Sequence, residues 1–435
     1  MTVHGGGHSD CTVSKYVMED VPAYKEEDYS TTKDNYLAKL GYELNTVKLF
    51  DGRVDKISKT WKDVDKELRA DSRFGRQLNI KISNDSFTSE TDELKRAENI
   101  YSFVQNEYTW NETYNIFGDT SVKDLMKNKS GSASEINILL HNLLEENNIA
   151  VKPVLLSTRA NGFVTKIFPV ISEFNYLIVQ ATINNKTYFL DATDSYLPFG
   201  ELPFRCLNRD GRLLDFKKGS SWVDLTPSET SIIQYKVNLK LEEDVLVGKL
   251  NTTATGYQAL PLKKSYYANQ TTYLNNYKEK YPSIDFTDHK VTSNGKSSDT
   301  YLEEFNIAYT IEDIGGKLYI NPFLFKLLKE NPLKLKERTY PIDFGYKDTY
   351  LYTLKLDIDE NYDILEIPKD LKLGLPNNKG LLIFSTKVTE GSILLYFKFN
   401  FTETIYNPEY YKSLKQFMGT IVDIQKNSLL VLKRK

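Results

Sequence analysis

A chain of 435 residues with 40% hydrophobic and 26% charged side chains has the balance of a folded protein rather than a disordered one, and is long enough for two or three domains. Its 56 basic and 59 acidic residues are interspersed to a net charge of −3, with no basic block to track a phosphate backbone, which excludes nucleic acid as the expected partner. No apolar run approaches the roughly 18 residues of a membrane span, and the two cysteines, Cys11 and Cys206, build neither a disulfide framework nor a zinc site, so no metal or cofactor is expected.

The start, MTVHGGGHSD, carries no apolar export signal, and His4 and His8 among its glycines read as a leader or tag remnant. Residues 1–75 read as a lead-in, the remnant of an upstream β-rich domain. Residues 42–50 alternate like a strand, and Trp61, Val64 and Leu68 have helical spacing, yet a single strand cannot bury itself. From residue 76 to 222 the order is helix, helix, then antiparallel strands. Leu94, Ala97, Ile100, Tyr101, Val104 and Tyr108 share one helix face, with Ser89 and Asp92 as cap candidates. A second helix starts near Ser132 and runs through Ile136, Leu139, Leu140, Leu143 and Leu144 to Asn147 and Asn148. The runs VKPVLLST, FNYLIVQATI and KTYFLDAT are strands, which makes the class α+β. From 223 to 435 a strand-and-turn rhythm, from IIQYKVNLKL to SILLYFKFNF, is broken by helices near 256–279 and 407–424. This predicts a β-rich, sandwich-like domain with two helices. Asp357, Asp359, Asn361 and Asp363 open like a calcium loop, but Tyr362 and Pro368 replace the glycine and the bidentate glutamate, so a solvated hairpin tip is expected.

The segment Gly131-Ser132-Ala133-Ser134-Glu135, the pair Phe174-Asn175 and the run Leu190-Asp191-Ala192-Thr193 resemble, in order and spacing, the core of the transglutaminase-like family, which has a papain-like fold. The resemblance spans roughly residues 76–215. In that family a cysteine at the helix start is activated by the helix dipole and by a histidine on a strand, whose tautomer a carboxylate holds. At the matching positions this chain has Ala133, Tyr176 and Asp191. Alanine offers no nucleophile, and a phenol with an ordinary pKa near ~10 is a poor general base. The resemblance therefore implies a pseudoenzyme, with Asp191 kept as a structural hydrogen-bonding residue.

The expected function is a binding or scaffolding module for a peptide or protein partner, with Trp110, Tyr176 and Tyr196 as a wall of the former groove. The rival is a cysteine- or serine-dependent acyl transferase or hydrolase using Ser134 or Cys206 with Asp191. Against it, the chain has four histidines, and the nearest, His141, lies two turns along the same helix, where an imidazole is usually structural. A third reading is a spacer whose cleft is filled by its own side chains. Further stretches, YVMEDVPAYKEEDYSTTKDNY, KTWKDV, KENPLKLKERTYPIDF and the last thirty residues, look like the junction and third module of three-part bacterial proteins that carry transglutaminase-like cores. That likeness implies a truncated first module and an exported, periplasmic or envelope location.

Overall fold

The computed structural model describes residues 2–3, 7–8, 11–42, 44–49, 51–57, 59–84, 86–114 and 116–435. Four helices precede the first large sheet: α1 (Trp61–Ala70), α2 (Glu93–Glu107), α3 (Val122–Asn128) and α4 (Ala133–Glu146). Each starts on a side-chain cap, Thr60, Asp92, Ser121 and Ser132 respectively, so an otherwise orphaned amide of the first turn is satisfied locally. Helix α4 is buried from Ala133 to Leu144 except at Glu135. A helix covered nearly all round is the centre of its layer rather than an amphipathic surface element.

Helix α4 packs on an antiparallel sheet of five strands, β1 (Ala150–Leu156), β2 (Tyr176–Ile183), β3 (Lys186–Leu190), β4 (Asp210–Leu213) and β5 (Ser221–Asp224), in the order β5-β4-β1-β2-β3. The β2–β3 hairpin turns through Asn184 and Asn185, at φ 50° and 62°, the left-handed pair that a two-residue turn of matching twist requires and that asparagine tolerates. Two expectations for residues 1–75 need correcting. The strand near 42–50 is not alone, because Thr46–Lys48 pairs with Val54–Lys56. Helix α1 is no lead-in: Val64 and Leu68 are buried in the same core as Ile100, Leu139 and Val179. Its Trp61 packs edge-on against Phe174 and Trp222, and Arg212 reaches Asp65 at 2.9 Å.

The rest of the chain builds a mixed eight-stranded sheet from β6 (Thr230–Glu242), β7 (Val245–Thr255), β8 (Ile284–Val291), β9 (Thr300–Thr310), β11 (Lys347–Asp357), β13 (Leu371–Gly374), β14 (Gly380–Thr389) and β15 (Ser392–Phe401), in the order β8-β9-β7-β6-β11-β15-β14-β13. Its neighbours are antiparallel except β6 and β11, which run parallel. Strands β10 (Lys317–Ile320), β12 (Tyr362–Glu366) and β16 (Leu430–Arg434) form a separate three-stranded sheet. Helices α5 (Ala259–Ala268) and α6 (Gln270–Lys280) follow β7, and α7 (Tyr411–Asn427) follows β15. Leu414, Phe417, Met418 and Ile421 of α7 share one core with Val237, Phe305, Phe397 and Leu432. The acidic run at 357–363 is a crossing from one sheet to the other, because β11 pairs with β15 and β12 with β16; it is not the tip of a hairpin. Among the described residues no helix is long and apolar enough to cross a membrane.

Several contacts tie the five-stranded and eight-stranded sheets together, two of them buried deeply or spanning both parts. Arg159 and Asp343 form a buried ion pair at 2.8 Å, and the guanidinium lies 4.6 Å from the Phe204 ring. The segment 24–36 lies across both parts: the Thr32 amide donates to the Arg159 carbonyl, while the Tyr29 carbonyl accepts from the Asp343 amide. Tyr24 and Tyr36 pack on Tyr340, and Glu27 pairs with Arg338 at 3.1 Å.

Candidate functional site

The start of α4 is held by reciprocal capping. The Ser132 hydroxyl accepts from the Glu135 amide, and the Glu135 carboxylate accepts from the Ser132 amide at 2.8 Å. Ala133 is the first helical residue and is fully buried, packed in one cluster with Val154, Leu156, Tyr176, Leu202 and Cys206. Its amide donates to the Thr113 carbonyl at 2.9 Å, and the Ser134 amide donates to the Tyr114 carbonyl at 3.2 Å. The Ser134 hydroxyl also donates to the Tyr114 carbonyl, at 2.8 Å. The amides at the positive end of the helix dipole are therefore occupied by the preceding loop.

Strand β2 begins at Tyr176, and Asp191 immediately follows its neighbour β3, so the two side chains meet. The Tyr176 hydroxyl donates to Asp191 Oδ2 at 2.7 Å. Asp191 Oδ1 accepts from Asn137 Nδ2 of α4 at 3.2 Å and from the Thr193 amide at 2.9 Å. Arg205 Nη2 donates to the Tyr176 hydroxyl at 2.8 Å and to Thr193 Oγ1 at 2.5 Å. Burial, then the Asp191 charge, push the Tyr176 phenol well above its ordinary range, so it is a hydrogen-bond donor and not a base. The Cys206 thiol, 3.9 Å from Asp191 Oδ2, is pushed up by the same two causes and stays protonated.

The expected wall is corrected in part. Tyr176 is fully buried and belongs to the core. Trp110 is partly buried, stacks on Tyr114 at 5.9 Å and donates from its indole to the Thr113 carbonyl at 2.8 Å. Tyr114 in turn meets Tyr176 edge-on at 5.0 Å, and the Arg205 guanidinium lies 4.3 Å from the Trp110 ring. Tyr196 is held by its backbone: its carbonyl accepts from Lys263 of α5 and its amide donates to Asp194 Oδ1. Arg205, Tyr114 and Asn137 were not singled out from the sequence, and Thr193 entered only as the last residue of the Leu190–Thr193 run. The one signal was the adjacency of Arg205 and Thr193 to residues already singled out. His141 is buried, with Nδ1 3.1 Å from Asn142 Oδ1, and burial lowers its pKa. His289 pairs with Glu303 at 2.8 Å in the eight-stranded sheet. Neither imidazole is hydrogen-bonded to Ser134 or Cys206.

A separate cleft of about 420 Å³ lies where the two large sheets meet, between residues 187–231 and 255–257, with Asp299 at its rim. Glu201 lines it. Burial pushes this carboxyl up to about 7, Lys263 pulling it down and Asp299 pushing it further up. An acid raised in the folded state binds protons that the unfolded chain releases between 4.5 and 7, so its penalty is absent below that window and full above it. Glu201→Gln should therefore raise stability by about 2 kcal/mol at pH 8 and by much less at pH 5. Urea unfolding at the two pH values checks this; an equal shift at both would show that the carboxyl ionises normally.

Residues 316–431 match the family described as Domain of Unknown Function DUF3858. The chain is similar in fold to a solved structure from Parabacteroides distasonis described as a "putative protease", with a TM-score of 0.50 at 12% identity, over 91% of this chain and 64% of that one. This chain thus spans less than two thirds of that protein's length, and identity this low speaks for the fold alone. No curated protein matches the chain.

Proposed function

We propose that this chain is a non-catalytic transglutaminase-like protein, with a papain-like core at 76–222 to which α1 is added and a β-rich unit at 223–435, serving as a binding or scaffolding module for a peptide or protein partner in the cell envelope. The observation that carries the reading is the closure of the α4 start. An acyl transferase needs a nucleophile there and a free amide to receive the developing oxyanion. At this helix start the nucleophile position is a buried alanine, and its amide is already spent on Thr113. The position of the general base holds a phenol locked between Asp191 and Arg205. What supports binding over chemistry is that every group of the former triad is satisfied internally while a cleft elsewhere stays open.

Covalent probes test this. Iodoacetamide is expected to label the exposed Cys11 and leave the buried Cys206 untouched, and a fluorophosphonate is expected to label neither Ser132 nor Ser134. Stoichiometric labelling of the folded protein at Cys206, Ser132 or Ser134 would overturn the proposal and restore the rival acyl-transfer reading.

A further inference from the structure

Along the core face of β11 the side chains run Asp348, Tyr350, Tyr352, opposite Phe401, Phe399 and Phe397 of β15. One ionisable group thus sits in a row that is otherwise aromatic. Asp348 is 7% exposed, and its two oxygens accept from Gln258 Nε2 and the Tyr350 hydroxyl, both at 3.0 Å. Both donors are neutral. Burial pushes the carboxyl up to about 7, and only those two hydrogen bonds pull it down. Among the described residues no lysine, arginine or histidine pairs with it. Each oxygen therefore has a donor while the charge has no partner, and an unpaired charge out of water is costly. Asp348 opens on a cavity of about 130 Å³ that Tyr29, Phe344, Tyr346, Phe399 and Phe401 also line. Phe344 meets Tyr29 edge-on at 4.6 Å and lies 4.9 Å from Phe401, and Tyr350 stacks on Phe399 at 4.5 Å. Burial, and then nearby negative charge that includes Asp348, raises the phenols of Tyr29, Tyr346 and Tyr350, which places all three round the carboxylate. Arg338, which donates to the Tyr29 carbonyl, is already paired with Glu27.

We propose that this cavity is an aromatic cage for a methylated ammonium head group, with Asp348 as its counter-charge. Aromatic faces attract a cation, and more strongly where water is excluded. A quaternary nitrogen brings charge without N–H donors, and charge is what Asp348 lacks. A primary ammonium fits less well, because its N–H groups would compete with Gln258 and Tyr350 for the same two oxygens. The volume lies below the ~300 Å³ at which whole small-molecule sites begin, so a compact head group enters and the rest of its molecule stays outside. A metal ion is a poor fit, since among the described residues no three His, Cys, Asp or Glu side chains converge. Tyr29 is the outer wall. Its side chain is 36% exposed, while its carbonyl is held by Arg338 and by the Asp343 amide, so the ring can swing aside without releasing the segment that carries it. The cage is remote in the fold from the α4 start, and it stands or falls independently of the covalent-probe result.

Saturation-transfer NMR titration of the full chain at pH 8 tests this with choline against 3,3-dimethyl-1-butanol, which has the same shape and no charge. A Gly-Ala-Lys-Ala-Gly peptide with a trimethylated lysine is titrated beside its unmethylated form, so that a free or lipid-borne head group is told from one carried by a protein. At least one trimethylammonium probe is expected to bind saturably, and its uncharged or unmethylated counterpart at least roughly tenfold more weakly. Asp348→Asn is expected to weaken the trimethylammonium probe by roughly tenfold and to leave the uncharged isostere unchanged. That variant removes an unpaired buried charge, so its urea midpoint at pH 8 is expected to be no lower than the parent's. Should it fail to fold, Tyr29→Leu, which keeps the bulk of the wall and removes its ring, is expected to weaken the same probe by a smaller factor. No saturable binding of either trimethylammonium probe, equal binding of choline and its carbon isostere, or no effect of either variant overturns the cage.

Discussion

Glu27→Ala is expected to destabilise the protein by about 3–5 kcal/mol at neutral pH, the usual cost of removing one member of a buried ion pair. Both side chains are out of solvent, Arg338 at 0% and Glu27 at 4% exposure. Glu27 Oε1 also accepts from the amides of Lys334 and Leu335 at 2.6 and 2.7 Å and from the Tyr411 hydroxyl at 2.8 Å. Deleting the carboxylate strands those donors and leaves a guanidinium facing the carbonyls of Asp28, Tyr29, Tyr340 and Pro341 and the Tyr340 ring, with no counter-charge. Burial alone would raise the Glu27 carboxyl, yet the Leu335 amide, the Tyr411 hydroxyl and Arg338 hold it below its ordinary value. An acid depressed in the folded state stabilises fully above its unfolded pKa, and that contribution is lost as pH falls through the lowered one. Urea unfolding at pH 7, with trypsin cleavage after Lys33 as a local readout, checks the effect. An unchanged midpoint with segment 24–36 still protected would show that the tyrosine packing alone holds it.

Asp191→Ala is expected to cost about 3 kcal/mol in stability and no activity. The carboxylate is fully buried and receives Tyr176, Asn137 and the Thr193 amide, with Arg205 at 3.9 Å. Its loss leaves three donors without an acceptor, each worth about 1 kcal/mol or more when buried, and an arginine without its counter-charge. Asp191→Asn keeps an acceptor for Tyr176 and should cost roughly half as much. A denaturation midpoint that does not move in the alanine variant would mean that water replaces the carboxylate.

Periodicity was enough to place α2 and α4, since their apolar faces repeat along a contiguous stretch and their caps sit beside them. The meeting of Tyr176 and Asp191 came from the resemblance of the motifs that hold them and not from periodicity; in the structure both lie at the ends of neighbouring strands. Arg205 and Tyr114 were not legible. They come from irregular loops, where no repeat of polarity tells which way a side chain faces. The role of α1 was hidden for another reason: the spacing of Trp61, Val64 and Leu68 marks an apolar helix face but does not say that Phe174 and Trp222, remote in sequence, are folded against it. The fate of the acidic run was equally invisible. Both flanks read as strands, and nothing local says that β12 leaves its predecessor's sheet to join β16.

Strand β6 lies parallel to β11, pairing Thr230 with Lys347 and Lys240 with Asp357. That seam joins the two halves of the eight-stranded sheet, and the intervening chain must close a long loop before the seam gains any hydrogen bond. Assembly therefore has an order. Hairpins such as β6–β7 and β14–β15 join strands adjacent in sequence, whereas the seam joins strands separated by the whole of α5, α6 and β7–β10. High contact order of this kind slows folding far more than it weakens the product. During synthesis, β6 spends the time needed to make more than a hundred further residues with one edge unpaired, and that edge is open meanwhile to pairing with another copy of itself.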